Sequence, residues 1–399
     1  MPEAVIVAGA RTPFGKFGGA LRPLEAVELG GLAIAEAISR AGIDPAQADE
    51  VIMGGVLTAG QGQIPARQAA ALGGVPAAVP TLHVNKVCGS SLKAVTLAAQ
   101  AIRAGDAEVV IAGGMESMSN APYVVPGMRW GSRMNDAALK DVMVLDGLWC
   151  PENDVHMAVI GGAVASEHGV DRDLQDAWAL RSQQRWAAAE GLGVFDQERF
   201  PVEVKGPGGA TTTVDRDEAP RPGTTAEALA KLKPLFTPDN TVTAGNAPGT
   251  NDGAAAVVIM SRDKADQLGV EILAAIRGYA QASAEARYIA TVPGHAMRAL
   301  AAKTGLDLAT LDRVEINEAF AAVPLVSGLG VLGWDQVELD AKVNVNGGAV
   351  AVGHPIGATG ARIVMTLVNE LRRSGLRSGV AAICSGMAQG DAIWLEAEN

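Results

Sequence analysis

Four side chains suited to nucleophilic and acid–base chemistry stand in turns that follow apolar runs of the sequence. Cys88 lies in VNKVCGSSLKA, between an apolar run and a segment with helical spacing. His354 lies between glycines in NVNGGAVAVGHPIGATGAR, Asn317 ends the apolar run of VEINEAF, and Cys384 precedes Gly386 in AAICSGMAQGDA. Glycine lets the backbone approach a ligand closely. Two thiols, an imidazole and an amide in such turns indicate a site for thiolate chemistry.

A cysteine at a strand-to-helix junction is a candidate nucleophile, because the positive end of the helix dipole lowers the pKa of its thiol. An ordinary thiol, with a pKa of about 8.5, is mostly protonated at neutral pH. Taken singly, each residue also has a structural interpretation. Cys88 fits a buried packing residue, His354 a surface turn and Asn317 a helix cap. Only the four together favour a catalytic interpretation.

Composition limits the class of protein. The chain has 399 residues, is 48% apolar and only 19% charged, which is enough for two or three folded domains. A net charge of −12 argues against nucleic acid or an anionic membrane as partner. Cys88, Cys150 and Cys384 are too widely spaced for a disulfide framework or a zinc site. No apolar run is long enough to cross a bilayer, and the first strand-like run starts four residues in, so we expect a cytoplasmic protein without signal peptide or metal.

Short apolar runs alternate with helical patterns along the whole chain. Strands this apolar are typical of a sheet that is covered on both faces, so the pattern predicts an α/β fold. The six runs are AVIVAGA, EVIMGGV, EVVIAGG, AAVVIMS, RVEINEA and GVAAICS.

The chain also contains an internal repeat. AGIDPAQADEV (41–51) matches TGLDLATLDRV (304–314), and a weaker match pairs 101–114 with 370–386. Two related halves explain both matches, and chance similarity of short segments is the alternative. Between them, a Pro-Gly-rich and charged stretch indicates an insertion that carries a substrate site. The predicted domains are 1–120 with 247–270, an inserted domain at 121–246, and 271–399.

The motifs together resemble the thiolase family, the acetyl-CoA acyltransferases, over nearly the whole chain and in the family's order. The resemblance implies two βαβαβαββ halves that form a five-layered αβαβα core, with a loop domain inserted in the first half. The motifs that carry it are VIVAGARTPFGKFGG, NKVCGSSLKA, GGMESMSNAPY, TVTAGNAPGTNDGAAA, INEAFA, NVNGGAVAVGHPIGATGAR and the CSG of the last strand.

The resemblance implies a role for each of the five catalytic candidates. Cys88 would accept the acyl group, and His354 would take its proton and donate to the thioester oxygen. Asn317 would hold a water that completes this oxyanion hole, and the N–H groups of Cys88 and Gly386 would form a second one. Cys384 would remove a proton from the methyl group of acetyl-CoA. The reaction would be a reversible Claisen condensation, or thiolysis of a 3-oxoacyl-CoA, through a ping-pong acyl-enzyme.

The resemblance also implies a site for coenzyme A thioesters, which would be substrates, with no metal or redox cofactor. An arginine suits phosphate or adenine recognition, although Arg221 also fits a solvated loop charge and Met157 a core residue. The implied CoA-binding residues are Leu148, His156, Met157, Arg221, Phe236, Ala247, Ala319 and Phe320.

Four positions depart from the family pattern. Pro248 stands where many thiolases have a serine, Met387 and Ala388 replace two glycines after Gly386, and Tyr288 falls near an expected methionine. We expect these changes around the acyl pocket, so the acyl chain length stays open.

Two other functions fit parts of the pattern. A ketoacyl synthase has a similar nucleophile but no use for a second catalytic cysteine, so Cys384 argues against it. A thiolase-like protein that binds acyl-CoA or lipid without catalysis would be expected to lack Cys88 or His354. We also expect a homodimer or homotetramer, with PGMRWGSRMNDAALKD joining dimers.

Overall fold

Sixteen strands occur in the computed structural model of the protein, which describes residues 1–398. Nine of them, together with the short β2, form one large mixed sheet, and the remaining six form three small hairpins. The strands are β1 (Ala4–Arg11), β2 (Gly15–Lys16), β3 (Glu50–Gly54), β4 (Thr81–Val84), β5 (Val109–Ser117), β6 (Tyr123–Val124), β7 (Lys140–Asp141), β8 (Trp149–Cys150), β9 (Val155–His156), β10 (Val202–Lys205), β11 (Thr211–Val214), β12 (Asn251–Ser261), β13 (Ala274–Ser283), β14 (Arg313–Ile316), β15 (Ser378–Ser385) and β16 (Gln389–Ala397).

Twelve α-helices occur in the same part of the chain. Helix α1 shows why they form where they do, since Glu25 and Glu28 build a capping box at its start and Gly42 ends it at φ 66°. The helices are α1 (Ala26–Ala41), α2 (Pro65–Leu72), α3 (Ser90–Ala104), α4 (Met157–Glu167), α5 (Arg172–Gly191), α6 (Ala226–Ala230), α7 (Arg262–Leu268), α8 (Val292–Thr304), α9 (Ala322–Leu325), α10 (Gln336–Lys342), α11 (Ala349–Val352) and α12 (Thr359–Arg373).

The large sheet consists of two half-sheets with the same strand order. The first runs β4-β3-β5-β12-β1, and the second runs β14-β15-β16-β13, with Val343 bridging to Val314 beyond β14. Strands β1 and β13 join the halves through Val5 opposite Ala275 and Ile6 opposite Ala274. The six apolar runs of the sequence are confirmed as β1, β3, β5, β12, β14 and β15.

The internal repeat is confirmed by equivalent elements and by equivalent contacts. Helices α1 and α8 end 263 residues apart, and strands β3 and β14 start with the same separation. In the first copy Asp49 accepts hydrogen bonds from two N–H groups at the start of β5, at 2.7 and 2.9 Å. In the second copy Asp312 does the same at the start of β15, at 3.0 and 2.9 Å. The two halves therefore repeat one α/β unit.

Five layers follow from the three main apolar cores. Helices α1 and α2 cover the outer face of the first half-sheet. Helices α3 and α12 lie between the two half-sheets, and α8 covers the outer face of the second. This αβαβα arrangement confirms the fold class that the sequence predicts.

The insertion lies between β5 and β12 and contains six short strands and helices α4 to α6. The chain returns to the first half-sheet at Asn251, where β12 pairs with both β1 and β5. The domain boundaries at 120, 246 and 270 stay a prediction. Among the described residues, none of the helices combines the length and the apolar character that crossing a membrane requires.

Candidate active site

The two central helices deliver Cys88 and His354 to the same place. Helix α3 begins two residues after Cys88, and the equivalent helix α12 begins five residues after His354. The helix starts are in close contact: the Ser91 hydroxyl accepts a hydrogen bond from the N–H of Ala361 at 3.0 Å. A Cβ on Gly360 would lie 2.3 Å from the Leu92 nitrogen, so only glycine permits this approach. The internal repeat thus brings the turn before one helix beside the turn before the other.

An apolar cavity of about 170 Å³ opens at these turns, and we call it the inner cavity. Cys88, His354 and Gly386 line it. Within residues 1–398, the residues that line it do not include Cys384 or Asn317, and both of these side chains are buried. Cys384 lies near enough to Cys88 that negative charge on Cys88 raises the pKa of the Cys384 thiol.

The Cys88 turn is tight and firmly held. Val87 adopts φ 45°, a left-handed conformation that is unusual for a β-branched residue. The N–H of Val87 donates to Asn85 Oδ1 at 3.0 Å, and the N–H of Lys86 donates to Ser90 Oγ at 2.8 Å. Backbone strain of this kind is concentrated at functional sites, where the surrounding structure maintains it.

Burial controls the acidity of both thiols. It raises the pKa of Cys88 to about 12, although hydrogen bonds from the N–H groups of Cys88 and Gly386 act in the opposite direction. Burial also raises the pKa of Cys384 well above that of an ordinary thiol. The N–H groups lower the pKa of Cys88, but desolvation of the thiolate outweighs them, so the net shift of the pKa is upward. Both thiols are protonated in the resting protein.

His354 has a defined tautomer. Its Nδ1 lies 2.8 Å from Thr359 Oγ1, and that hydroxyl donates to the Pro355 carbonyl at 2.9 Å. A hydroxyl has one hydrogen, so with that hydrogen on the Pro355 carbonyl Thr359 accepts from His354, and we assign the ring proton to Nδ1. Nε2 then carries the lone pair that can accept a proton. Burial, with a smaller effect of Arg362, lowers the pKa of His354 to about 3, so the ring is neutral.

Asn317 is held next to this lone pair. Its N–H donates to the Ala382 carbonyl at 3.0 Å, and its Nδ2 lies 3.5 Å from His354 Nε2. Asn317 Oδ1 has no hydrogen-bond partner among the described residues. Asn317 is not a helix cap, since helix α9 begins five residues later with Ala321 as its N-cap. A buried acceptor without a partner beside an active imidazole can bind a water or a substrate donor.

Two buried carboxylates support the site, Glu116, which the sequence did not indicate, and Glu318, which follows Asn317 in VEINEAF. Glu116 accepts from the N–H groups of Val56 and Leu57, both at 3.1 Å, and of Gly357 at 3.0 Å. Burial raises its pKa to about 7. Glu318, next to Asn317, accepts from several side chains and one backbone N–H. Its donors are Trp178 Nε1, Ser182 Oγ, Asn344 Nδ2 and the N–H of Val350.

A larger cavity of about 780 Å³ continues outward from the inner cavity, and we call it the outer cavity. The two share Leu235 and the segment 247–250 as walls. Arg221 lies on the outer cavity, and His156 and Phe236 stack with ring centroids 4.1 Å apart on the inner one. Every predicted CoA residue lines one or both cavities: Leu148, His156, Met157, Phe236, Ala247, Ala319 and Phe320 the inner, Arg221 and Ala247 the outer.

The departures from the family pattern lie at different places. Pro248 lines both cavities. Tyr288 is not among the described residues that line the inner cavity, whereas its neighbour Ile289 is. The Tyr288 ring contacts Arg287, with the guanidinium carbon 4.6 Å from the ring centroid. Met387 and Ala388 adopt φ 61° and 47°, a conformation that favours glycine.

The chain belongs to the thiolase family. The model of the thiolase N-terminal domain matches residues 4–263, and that of the thiolase C-terminal domain matches residues 270–397. The predicted family is therefore confirmed.

Several relatives match over almost the full length of both chains. The acetyl-CoA acetyltransferase of Pseudomonas aeruginosa is 51% identical over 395 residues, covering 99% of each chain. The acetyl-CoA acetyltransferase of Cupriavidus necator is 49% identical, covering 99% of this chain and all of the relative. A crystal structure of the Bacillus anthracis acetyl-CoA acetyltransferase superposes with a TM-score of 0.96 at 39% identity, covering 100% of this chain and 99% of that one.

Proposed function

We propose that this thiolase is an acetyl-CoA C-acetyltransferase, which joins two acetyl-CoA molecules or cleaves acetoacetyl-CoA with coenzyme A. The observation that carries the proposal is that Cys88 and a neutral His354, whose unprotonated Nε2 can accept a proton, line one cavity close to a second thiol. The relatives' names support the acetyl substrate. A longer 3-oxoacyl-CoA is the alternative substrate.

The first half-reaction transfers the acyl group to Cys88. Because Cys88 is a thiol at rest, its proton must leave as the sulfur attacks, and the lone pair on His354 Nε2 receives it. The protonated Nε2 then donates to the oxygen of the attacked thioester, together with a water held by Asn317. When an acyl-CoA is the donor, the bond between the acyl carbon and the CoA sulfur breaks, and the departing CoA thiolate takes the proton from Nε2. Donors preorganised at a developing oxyanion are worth roughly 2.7–4 kcal/mol each.

Cys384 acts in the step that makes or breaks the carbon–carbon bond. In thiolysis this step itself acylates Cys88: the Cys88 sulfur attacks the 3-oxo carbon, the bond between the two acyl units breaks, and the departing enolate of acetyl-CoA takes the Cys384 proton. CoA, deprotonated by the Cys384 thiolate, then attacks the acyl-Cys88, and the Cys88 sulfur leaves with the proton held by His354.

In condensation, Cys384 first passes its proton to the neutral His354, and the Cys384 thiolate removes a proton from the acetyl methyl group. The resulting carbanion attacks the acyl-Cys88, whose sulfur leaves with the proton from His354. A raised pKa suits this role, because a strong base is needed for a weakly acidic methyl group. The N–H groups of Cys88 and Gly386 stabilise the oxyanion of the acyl-Cys88.

The CoA part of the substrate would extend from the inner cavity through the outer cavity. Arg221 supplies positive charge there for a phosphate, which a protein of net charge −12 needs locally. Every step above is a proton transfer or a nucleophilic substitution, so we propose that neither a metal nor a redox cofactor takes part.

We also propose a homodimer or homotetramer in the cytoplasm. Strand β4 is the edge of the sheet and pairs only with β3 in the described part of the chain. Leu82 on this strand is exposed, as are Trp130 and Met134 in the segment 126–141. An exposed edge strand and exposed apolar side chains favour association with further copies.

A Cys384→Ala variant tests the function and separates the rival proteins. We expect acetyl-CoA to acetylate Cys88 in this variant, as seen by peptide mass spectrometry, whereas condensation and thiolysis are lost. Cys150→Ala is the matched control and should retain both reactions. A Cys384→Ala variant with full thiolysis activity would contradict our role for this residue. A wild-type protein that is never acetylated at Cys88 would indicate a binding protein instead.

A further inference from the structure

A polar cluster that reaches from the surface to the buried side chains of Ser385 and Asp391 links the two halves of the protein beside the Cys88 turn. We call it the clasp, and it consists of Lys86, Gln281, Ser385 and Asp391. Lys86 Nζ lies 2.7 Å from Asp391 Oδ2 and 2.9 Å from Oδ1, and it donates to Gln281 Oε1 at 3.0 Å. Ser385 Oγ donates to the Lys86 carbonyl and accepts from the N–H of Gly89 at 3.3 Å.

The clasp touches both sides of the catalytic pair. Lys86 precedes Cys88 by two residues and belongs to the first half of the chain. Ser385 directly follows Cys384 on β15. Asp391, on the neighbouring strand β16, pairs with Ile383, the residue just before Cys384. The side chains of the second half therefore fix the backbone on both sides of Cys88, which belongs to the first half.

The fit between the two sides leaves little room for adjustment. A Cβ on Gly89 would lie 3.1 Å from Asp391 Oδ2 and 3.5 Å from Ser385 Oγ, so the carboxylate packs directly against the turn. Asp391 is 1% exposed and Lys86 11%. Removing two charges from water costs several kcal/mol per ion, and an apolar pair of similar volume is often as stable. The ion pair therefore adds little to the stability of the fold, but it holds the backbone around Cys88 in a defined position.

We propose that Lys86 and Asp391 are positioning residues that set the place of the Cys88 sulfur relative to the Cys384 sulfur. This inference rests on the proposed function. Acylation of Cys88 needs Cys88 and His354, whereas the carbon–carbon step also needs Cys384 at the correct distance. Loss of the clasp is therefore expected to impair the carbon–carbon step far more than acylation.

The test compares two rates in the full-length protein for Asp391→Asn, which removes the charge and keeps the shape. One rate is acetylation of Cys88 by acetyl-CoA in a quenched single turnover, and the other is steady-state thiolysis of acetoacetyl-CoA. We expect acetylation within about threefold of wild type and thiolysis lowered about tenfold or more, since a misplacement of about 1 Å can cost about a hundredfold. Lys86→Gln removes the other charge of the ion pair and should have the same effect. Lys86→Arg keeps that charge and should give the wild-type ratio of the acetylation rate to the thiolysis rate.

Glu370→Gln is the matched control, because it also neutralises a buried carboxylate that pairs with a basic side chain, Arg313, at 3.2 Å. Arg313 lies at the start of β14, and the Asn317 turn follows the other end of this strand. It should leave the ratio of the two rates unchanged even if the protein becomes less stable. Equal losses of both rates in Asp391→Asn and Lys86→Gln would overturn the positioning role. A wild-type protein without acetylation or thiolysis would instead overturn the proposed function itself.

Discussion

The hydrogen bond between His354 Nδ1 and Thr359 Oγ1 decides which ring nitrogen can accept the proton of Cys88. Thr359→Val exchanges the hydroxyl for a methyl group of similar size and removes this acceptor. The Pro355 carbonyl keeps hydrogen bonds from the N–H groups of Ala358 at 3.0 Å and Thr359 at 3.1 Å. The substitution therefore removes one contact of the imidazole and leaves the turn otherwise supported.

The size of the effect follows from the buried N–H that loses its acceptor. Such a group costs about 1–3 kcal/mol, which disfavours the tautomer with a free Nε2 by that amount. Because about 1.4 kcal/mol corresponds to a tenfold change in rate, kcat should fall about 5- to 150-fold. KM for CoA should change little, since Thr359 contributes to neither cavity wall among the described residues.

The assay is steady-state thiolysis of acetoacetyl-CoA by purified wild type, Thr359→Val and Thr359→Ser. The serine variant keeps the hydroxyl and should retain most of kcat. A valine variant whose kcat stays within twofold of wild type would refute the assigned tautomer. So would equal losses in the valine and serine variants, because the hydroxyl would then be irrelevant.

Three further predictions concern backbone strain, pH and CoA binding. In chemical denaturation, Met387→Gly should be about 0.5–1 kcal/mol more stable than Met387→Ala. A φ of 61° costs an L-residue roughly 1–2 kcal/mol, and the larger chain entropy that glycine loses on folding cancels only part of this gain. An alanine variant of equal or higher stability would contradict this prediction. Burial lowers the pKa of His354 to about 3 in the folded protein, so as pH falls His354 becomes protonated in the unfolded chain before it does in the folded one. The free energy of unfolding therefore decreases as pH falls from 6.5 toward 3. Between pH 7 and 5 the loss is about 2 kcal/mol, and His354→Asn should show a correspondingly smaller drop in denaturation midpoint; parallel curves for both proteins would be the opposite result. Arg221→Gln should raise KM for CoA about fivefold at constant kcat in thiolysis assays, because a charged phosphate contact at an open cavity contributes about 1 kcal/mol; a lower kcat with unchanged KM would disagree.

The repeat was the part of the fold that the sequence specified best. The equivalent aspartates Asp49 and Asp312 cap the start of the neighbouring strand in the sheet, β5 in the first half and β15 in the second. Because this capping requires a particular side chain, the aspartate appears at the same position of both sequence copies. Strands β13 and β16 were missed because polar residues such as Arg277 and Glu396 interrupt their apolar pattern. These two side chains pair with each other at 2.7 Å on the sheet surface, a contact that only the register reveals.

The sequence allowed us to predict which residue types form the site, but not which of their side chains carry a proton. The turn before α3 identified Cys88, but whether its thiol is acidic depends on the balance of burial and N–H groups, which no local pattern contains. Thr359 and Glu116 were missed for a related reason, since a hydroxyl or carboxylate gains its role from the turn that folds onto it. Ile289, rather than its neighbour Tyr288, lines the inner cavity, and this too depends on how the turn folds.

The matching positions of α3 and α12 have a consequence for the origin of the site. A single ancestral unit that paired with its own copy would have presented two identical turns across a twofold axis, and symmetry would have forbidden any division of labour between them. Within one polypeptide that restriction does not apply. One turn carries a sulfur, and its counterpart carries a ring nitrogen.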